Sequence, residues 1–446
     1  VISAEQVPPP LVEPDAEGLA PERLRELQER RFVRLVDRLL AAGGVQAARL
    51  RDCGVTRGAD VGLDTVSQLP MLSKQDFEEY YPFGLRAASE EDIVCVHGSS
   101  GTRSRPVLAP YTAHDLDVWA RVVARALGGA GAGSRSVVHC AYQYGLFTGG
   151  LGLHQGAMRL GAAVVPMSGT STDRQLRLLL DLRPDVLCCT PSYAIYLGEA
   201  LRSAGITAEQ LPLRVGLFGA EPWTDAMREQ IEELLGLRAL NIYGLTEVMG
   251  PGVACESLDS EGGLILAEDH FYPEVIGPDG EPVPDGHVGE LVFTTLTKTG
   301  LPLLRYRTGD LAAMSGPAEG SARTLRRMSR IVGRRDDMLV IDGINVFPTE
   351  IEAALLADTR VAPHYTVVDD RRDLSRPVLR VAVEPRDDDV DAAALESDLG
   401  RALFERLGVA CEVRVLEPTL IARAGNGKPL RLVRWEHGVA PLPGLE

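Results

Sequence analysis

Between residues 92 and 243 short apolar runs alternate with longer amphipathic ones. The short runs are IVCVH (93–97), SVVHCAY (136–142), AAVVP (162–166), DVLCCT (185–190), LRVGLFG (213–219) and RALNIY (238–243). Helical spacing fills 112–127, 150–161, 172–182, 192–204 and 224–236. Strands alternating with helices of ten or more residues predict a mainly parallel α/β sheet. Such sheets bind ligands where strands run into loops at their carboxyl edge.

The pattern changes on either side. Residues 21–42 place Leu24, Leu27, Phe32, Leu35, Val36 and Leu39 at helical spacing behind Pro21, a residue suited to a first helical turn. The Pro-rich stretch before them reads as a loose arm. Residues 252–312 are rich in Gly, Pro and Asp, with runs such as GELVFTTLT that predict antiparallel β structure. Beyond a basic stretch the chain predicts helices near 348–357 and 391–407 and strands near 364–369, 378–384 and 411–416. The expected fold class is α/β: a large N-terminal domain, 1–335, of parallel α/β sheets plus a β subdomain, and a small α+β C-terminal domain, 336–446.

Composition narrows the function. A net charge of −17 without a basic stripe argues against nucleic acid as partner, because phosphate neutralisation supplies most of that affinity. No apolar run approaches the ~20 residues of a membrane span. The first residues lack the basic and apolar parts of an export signal and do not begin with Met, so the expectation is a cytoplasmic chain whose own start is missing or processed. None of the seven cysteines sits in a CxxC, and Cys188–Cys189 read as buried strand, not a redox pair. The chain has only three lysines, Lys74, Lys298 and Lys428, beside 43 arginines. The two cations differ in size and donor geometry, so each remaining Lys marks a candidate need that Arg does not meet.

Four loops at predicted strand ends carry candidate chemistry. Ser99, Ser100, Gly101 and Thr102 offer hydroxyls and backbone N–H groups suited to phosphate oxygens. Gly219-Ala220-Glu221-Pro222 and Tyr243-Gly244-Leu245-Thr246-Glu247 end neighbouring strands, and a carboxylate with a hydroxyl beside phosphates suits Mg²⁺. Asp310, in YRTGD, could accept from ribose hydroxyls. Lys428 sits in the Gly-rich GNGKP near the C-terminus.

Taken together, these stretches resemble the adenylate-forming superfamily of acyl-CoA synthetases and adenylation domains, and within it the phenylacetate–CoA ligase family. The likeness runs through YPFGL (81–85), SSGT, AYQYGLFTGGLGLHQGAMRLGA (141–162), TPSY, GLFGAEPWTDAMREQIE, IYGLTEVMGPGVA, EDHFYPEVI, GELVFTTLTKTGLPLLRYRTGDL, RRMSRIVGRRDDMLVIDGINVFPTEIE, APHY and GNGKPLRLV, in the family's order. It implies an enzyme that uses ATP and Mg²⁺ to convert a carboxylic acid to an acyl-adenylate, then passes the acyl group to a thiol, CoA or a carrier-protein phosphopantetheine. By the same likeness, Ser99 to Thr102 hold the β- and γ-phosphates, Thr246 contacts the α-phosphate and Glu247 the Mg²⁺. Gly219, Ala220, Glu221, Pro222, Tyr243, Gly244 and Ile331 frame AMP, and Asp310 with Arg334 binds the ribose. Lys428 bridges the attacking carboxylate and the α-phosphate. Asp336 is the hinge of a mobile C-terminal domain, and Asp342 and Gly343 face the acceptor tunnel. Tyr142, Phe147, Gly149, Met249, Gly250 and Pro251 line an acid pocket whose aromatic walls favour a small aromatic acid. Dimers are common among relatives, so a homodimer is also within expectation.

Three departures from the family pattern matter. The phosphate loop reads SSGTRSRP where SSGTTGKP is usual, so Arg103, Ser104 and Arg105 alter it. Asp342 stands where Arg is common, which would repel CoA phosphates and favour a carrier thiol or another acceptor. Some relatives bind structural zinc near Cys255 and His270, but GPAEGSART (316–324) has no Cys to complete a tetrahedral site, so none is expected. The alternatives to a thiol ligase are an adenylating enzyme that delivers to an amine or other non-thiol acceptor, and a degenerate ligand-binding homologue.

Overall fold

Five strands of the predicted parallel set lie side by side in the order Arg238–Leu245, Val215–Gly219, Val186–Cys189, Val137–Cys140 and Ala163–Pro166. The two central ones, Val186–Cys189 and Val215–Gly219, are apolar and buried throughout, which is the pattern a covered parallel sheet requires. The computed structural model describes residues 8–99, 105–168, 170–341, 344–372, 378–387, 389–421 and 431–442.

The sheet is not purely parallel. Met249–Ser257 turns back antiparallel on Arg238–Leu245, and Ser260–Leu266, Arg327–Met328 and Met314–Ser315 extend it to nine strands. Phe271–Ile276, Gly289–Thr295 and Tyr306–Ala312 form the antiparallel structure expected between 252 and 312. One expectation fails: Ile93–Gly98 does not join the parallel set but pairs antiparallel with Leu108–Thr112. An apolar run specifies an extended segment, not its partner.

Helix Ala113–Gly129 starts with a capping box. The Thr112 hydroxyl accepts from the Asp115 N–H (3.2 Å), and the Asp115 carboxylate accepts from the Thr112 N–H (3.0 Å). It packs on helix Thr148–Leu160, whose Gly152 is needed there: a Cβ would lie 2.3 Å from the Trp119 ring. Helix Pro21–Ala42 buries Leu24, Phe32, Leu35, Val36 and Leu39 as its spacing predicts, but Gln28 is buried and Leu27 only half so. Gln28 can go inside because its amide donates to the Glu268 carbonyl (2.9 Å).

The arm before this helix is not loose where it is described. Arg323 donates to the carbonyls of Pro9 and Pro10 (both 3.1 Å), and Glu13 pairs with Arg121 (2.7 Å) and Arg125. Arg125 in turn grips buried Asp269 with two bonds, 2.8 and 3.1 Å.

The chain divides into two units. One comprises the described parts of Val1–Cys189, Pro212–Ala220 and Arg238–Ile331 and holds all the strands above; the other comprises Thr190–Leu211, Glu221–Leu237 and Val332–Glu446. The second unit carries a four-stranded sheet in the order Cys411–Val415, Val378–Pro385, Val361–Asp370 and Leu432–Trp435, with helices Pro348–Leu355 and Ala392–Leu407. A short hairpin, Leu339–Ile341 with Ile344–Val346, and the last strand go beyond the sequence expectation. Within the same unit Tyr365 donates to the buried Glu352 carboxylate, and the Arg431 guanidinium lies 4.3 Å over the Tyr365 ring. Burial raises the pKa of Glu352, and Arg431 opposes the rise.

Candidate active site

Because Val137–Cys140, Val215–Gly219 and Arg238–Leu245 run parallel, Tyr142, Ala220 and Thr246 all emerge at their shared carboxyl edge. Ala220 takes a left-handed backbone (φ 71°), which breaks its strand sharply. Thr246, Glu247 and Val248 make the tight turn between Arg238–Leu245 and Met249–Ser257. Gly244 permits that turn: a Cβ there would lie 1.8 Å from the Gly250 carbonyl oxygen. Thr246 is buried and Glu247 half-buried.

Two of the expected nucleotide residues meet directly. The Tyr243 hydroxyl donates to Asp310 Oδ2 at 2.7 Å, and the Thr308 hydroxyl accepts from the Asp310 N–H at 3.0 Å. Asp310 is buried on strand Tyr306–Ala312. A carboxylate has about four lone-pair sites, so Tyr243 leaves capacity for further donors.

Ser99, the first residue of the expected phosphate loop, is held by Val107. Its N–H donates to the Val107 carbonyl (2.9 Å), and its hydroxyl accepts from the Val107 N–H (3.0 Å). Arg105 lies 5.4 Å over the Tyr81 ring. Ser100, Gly101 and Thr102 lie outside the described residues, as do Asp342, Gly343 and Lys428.

The expected acid-pocket residues are neighbours. A Cβ on Gly149 would meet Phe147 at 2.9 Å and Tyr142 at 3.3 Å, and one on Gly250 would meet Trp119 at 2.4 Å and Thr148 at 2.7 Å. The Trp119 indole N–H donates to the Pro251 carbonyl at 3.0 Å. Met249 and Tyr142 are buried and Phe147 half-buried. Burial drives the Tyr142 phenol far above its ordinary pKa, so it stays neutral.

Sequence reasoning missed the group beneath this segment. Trp119 stacks on Tyr111 (5.3 Å, 22°), and His97 packs edge-on against both, at 5.3 and 5.5 Å. Lys298 Nζ lies 4.8 Å over the Tyr111 ring and donates to the Glu247 carbonyl at 2.9 Å. Burial pulls the Lys298 pKa down to about 8, opposed by Asp115 and Glu247. The scarcity of Lys was the signal that could have found it.

Glu221, Pro222, Arg334 and Asp336 belong to the second unit. There Glu221 accepts from the Ser192 N–H (2.7 Å), and Arg334 pairs with Asp336 (3.2 Å) in the turn Arg335–Asp337. Ile331 is half-buried at the end of the first unit. Cys255 and His270 each have other partners: Cys255 Sγ donates to the Glu256 carbonyl (3.2 Å), and His270 Nδ1 pairs with Thr297 Oγ1 (2.8 Å). Among the described residues no group of three or more His, Cys, Asp or Glu is placed to hold a metal ion. No described helix is long and apolar enough to cross a membrane.

Known proteins resemble this chain over most of its length. The model of the AMP-binding enzyme family matches residues 35–297, and that of the AMP-binding enzyme C-terminal domain matches 343–433. The chain is 45% identical over 440 residues to a phenylacetate-coenzyme A ligase of Thermus thermophilus, covering 95% of this chain and 99% of that protein. It is 52% identical over 312 residues to a phenylacetate-coenzyme A ligase of Escherichia coli, covering 70% of this chain and 71% of the other. A crystal structure of a 2-hydroxyisobutyryl-CoA ligase in complex with 2-HIB-AMP matches with a TM-score of 0.88 at 27% identity, over 97% of this chain and 95% of that one. Matched by a family model over more than half its length and by a relative from end to end, the chain belongs to the AMP-binding enzyme family, as an adenylate-forming acid–thiol ligase of the phenylacetate–CoA ligase type.

Proposed function

We propose that the enzyme activates an arylacetic or aryl carboxylic acid with ATP and passes the acyl group to CoA. The observation that carries this reading is the Tyr243–Asp310 hydrogen bond, made from the strand that ends in the Thr246–Glu247 turn; it supports a nucleotide site there, and the packing of Gly149 against Phe147 and Tyr142 supports an acid wall. In the first half-reaction a carboxylate oxygen attacks the α-phosphorus and pyrophosphate leaves. Charge develops on the phosphoryl oxygens, so the protein contributes positioning and electrostatics. Thr246 donates to an α-phosphate oxygen, Asp310 accepts from the ribose hydroxyls with Arg334 assisting, and Lys428 bridges the carboxylate and the α-phosphate. The Ser99–Thr102 loop holds the β- and γ-phosphates, and Gly219 to Pro222, Gly244 and Ile331 frame the adenine and its surroundings.

Glu247 offers a hard oxygen donor beside these phosphates, which fits Mg²⁺; bound there, the ion would neutralise phosphate charge. In the second half-reaction the CoA sulfur attacks the acyl carbon and AMP leaves, after the C-terminal domain has turned about Asp336. End-to-end likeness to CoA ligases favours CoA over a carrier-borne thiol, against the negative charge of Asp342.

The test is a panel of acids assayed with ATP and CoA, the acyl-CoA product being identified by mass. Phenylacetate and close aryl acids should turn over at least ~10-fold better than a small aliphatic acid such as 2-hydroxyisobutyrate, the scale of filling an apolar pocket. Preference for the aliphatic acid overturns the aromatic assignment. Transfer to a phosphopantetheinyl carrier but not to CoA, with CoA use gained in Asp342→Arg, overturns the acceptor assignment.

A further inference from the structure

We infer that Lys298 is a positioning residue for adenylate formation: it holds the Thr246–Glu247 turn from below through the Glu247 main-chain carbonyl. The role rests on the functional reading above, in which that turn supplies the α-phosphate contact and the metal ligand.

The segment Glu247–Pro251 is held at both ends. Lys298 Nζ donates to the Glu247 carbonyl (2.9 Å), and the Trp119 indole donates to the Pro251 carbonyl (3.0 Å). Both donors rest on one platform, the Tyr111 ring, with Lys298 4.8 Å from its centroid and Trp119 stacked at 5.3 Å. One end of the segment carries the residues assigned to phosphate and metal, and the other the wall assigned to the acid. The clamp therefore fixes the reacting groups relative to each other.

The base of Lys298 is itself anchored. Asp115 Oδ1 accepts from the Thr299 N–H (2.6 Å) and hydroxyl (2.9 Å), and Oδ2 from the Gly300 N–H (2.8 Å). With the backbone pinned and the residue 2 % exposed, the ammonium has little freedom. A point charge on a thin stem suits a site with a ring on one side and a single carbonyl ahead; a guanidinium is planar and broader. That accounts for a Lys in a chain that uses Arg almost everywhere else. Burying an ammonium is unfavourable unless it is paired, so a site kept for shape alone would favour Met.

The experiment compares wild type, Lys298→Met and Lys298→Gln in phenylacetate-dependent exchange of pyrophosphate into ATP, with Mg²⁺ varied and the melting temperature recorded for each. Met keeps the volume without donor or charge, whereas Gln keeps a donor without the charge. Lys298→Met should lower kcat about 10²-fold, the scale of an ångström misplacement at a reacting centre, and raise the Mg²⁺ activation constant about 10-fold. The KM for acid should stay within about threefold, because the wall remains held by Trp119; Lys298→Gln should fall between.

A Met variant with wild-type kcat and Mg²⁺ dependence per folded molecule overturns the proposal, whatever its melting temperature. If the Met variant does not fold, the Gln variant decides by the same criterion. Loss of folding in both assigns Lys298 to the fold and overturns the proposal as well. Wild-type protein without acid-dependent exchange overturns the functional reading and this role with it.

Discussion

The Asp310 carboxylate offers the sharpest quantitative test of the nucleotide site. It is buried and accepts one hydrogen bond from Tyr243 at 2.7 Å. In the account above it also accepts from both ribose hydroxyls. Each hydrogen bond to a charged acceptor contributes about 1.5–3 kcal/mol. Asp310→Asn keeps the shape, removes the charge and turns one acceptor oxygen into a donor. Losing most of two such bonds, about 3–4 kcal/mol, lowers kcat/KM for ATP by about 10²–10³-fold. Tyr243→Phe deletes a bond that orients the carboxylate, about 1.5 kcal/mol, so the same parameter should fall about tenfold. The double variant should be no worse than Asp310→Asn by more than about twofold, because Tyr243 acts through Asp310. The assay is acid-dependent pyrophosphate exchange at varied ATP, with melting temperatures as the control for folding. An Asp310→Asn enzyme with an unchanged ATP dependence refutes the ribose assignment. Fully additive losses in the double variant refute the coupling.

Other expectations follow from the same structure. Gly244→Ala would place a Cβ 1.8 Å from the Gly250 carbonyl; it should destabilise the protein by roughly 3 kcal/mol, a fall in melting temperature of about 5–10 °C, and an unchanged melt contradicts the close approach. Burial holds the His270 pKa down to about 3, opposed by Asp269, so folded His270 stays neutral. Unfolded His270 takes up a proton below about pH 6.5 where the folded state refuses it, so stability present above that pH is lost between 6.5 and 3, by an amount on the order of 4 kcal/mol. Melting curves of wild type and His270→Gln against pH should therefore converge in acid, and parallel curves would refute the linkage. Lys428→Ala should lower adenylate formation about 10²-fold or more yet leave thioester formation from preformed acyl-adenylate largely intact, and equal loss of both removes the half-reaction assignment.

Much of the fold was legible because a covered parallel sheet writes itself as apolar runs. DVLCCT and LRVGLFG have no polar face to misread. What failed is what local patterning does not encode. IVCVH is a strand, yet nothing in it names Leu108–Thr112 as its partner. The hairpin of Leu339–Ile341 with Ile344–Val346 is three residues a side, too short for a period. The N-terminal arm reads as loose because its anchors, Arg323 on the Pro9 and Pro10 carbonyls, lie more than three hundred residues away.

The site was read by a different route. Tyr243, Asp310, Thr246 and Glu247 came from predicted strand ends and from the family likeness; the structure puts Asp310 inside strand Tyr306–Ala312, joins Tyr243 to it and sets Thr246 and Glu247 in one turn. Lys298 has no motif of its own. It shows only as a rare residue type until the fold sets it 2.9 Å from the Glu247 carbonyl. The residues expected at the phosphates and the acceptor, Ser100 to Thr102, Lys428 and Asp342, lie outside the described residues, so their roles rest on sequence likeness.

Formation of an acyl-adenylate from an aromatic acid is the step on which every assignment above depends. It is followed by rapid quench with enzyme in excess over α-phosphate-labelled ATP, with phenylacetate and Mg²⁺ but no CoA. Label should pass into phenylacetyl-AMP, with one pyrophosphate released per adenylate. Addition of CoA should then chase the label into AMP as phenylacetyl-CoA appears. Label that accumulates as ADP, or an adenylate that forms equally well without the acid, would contradict it.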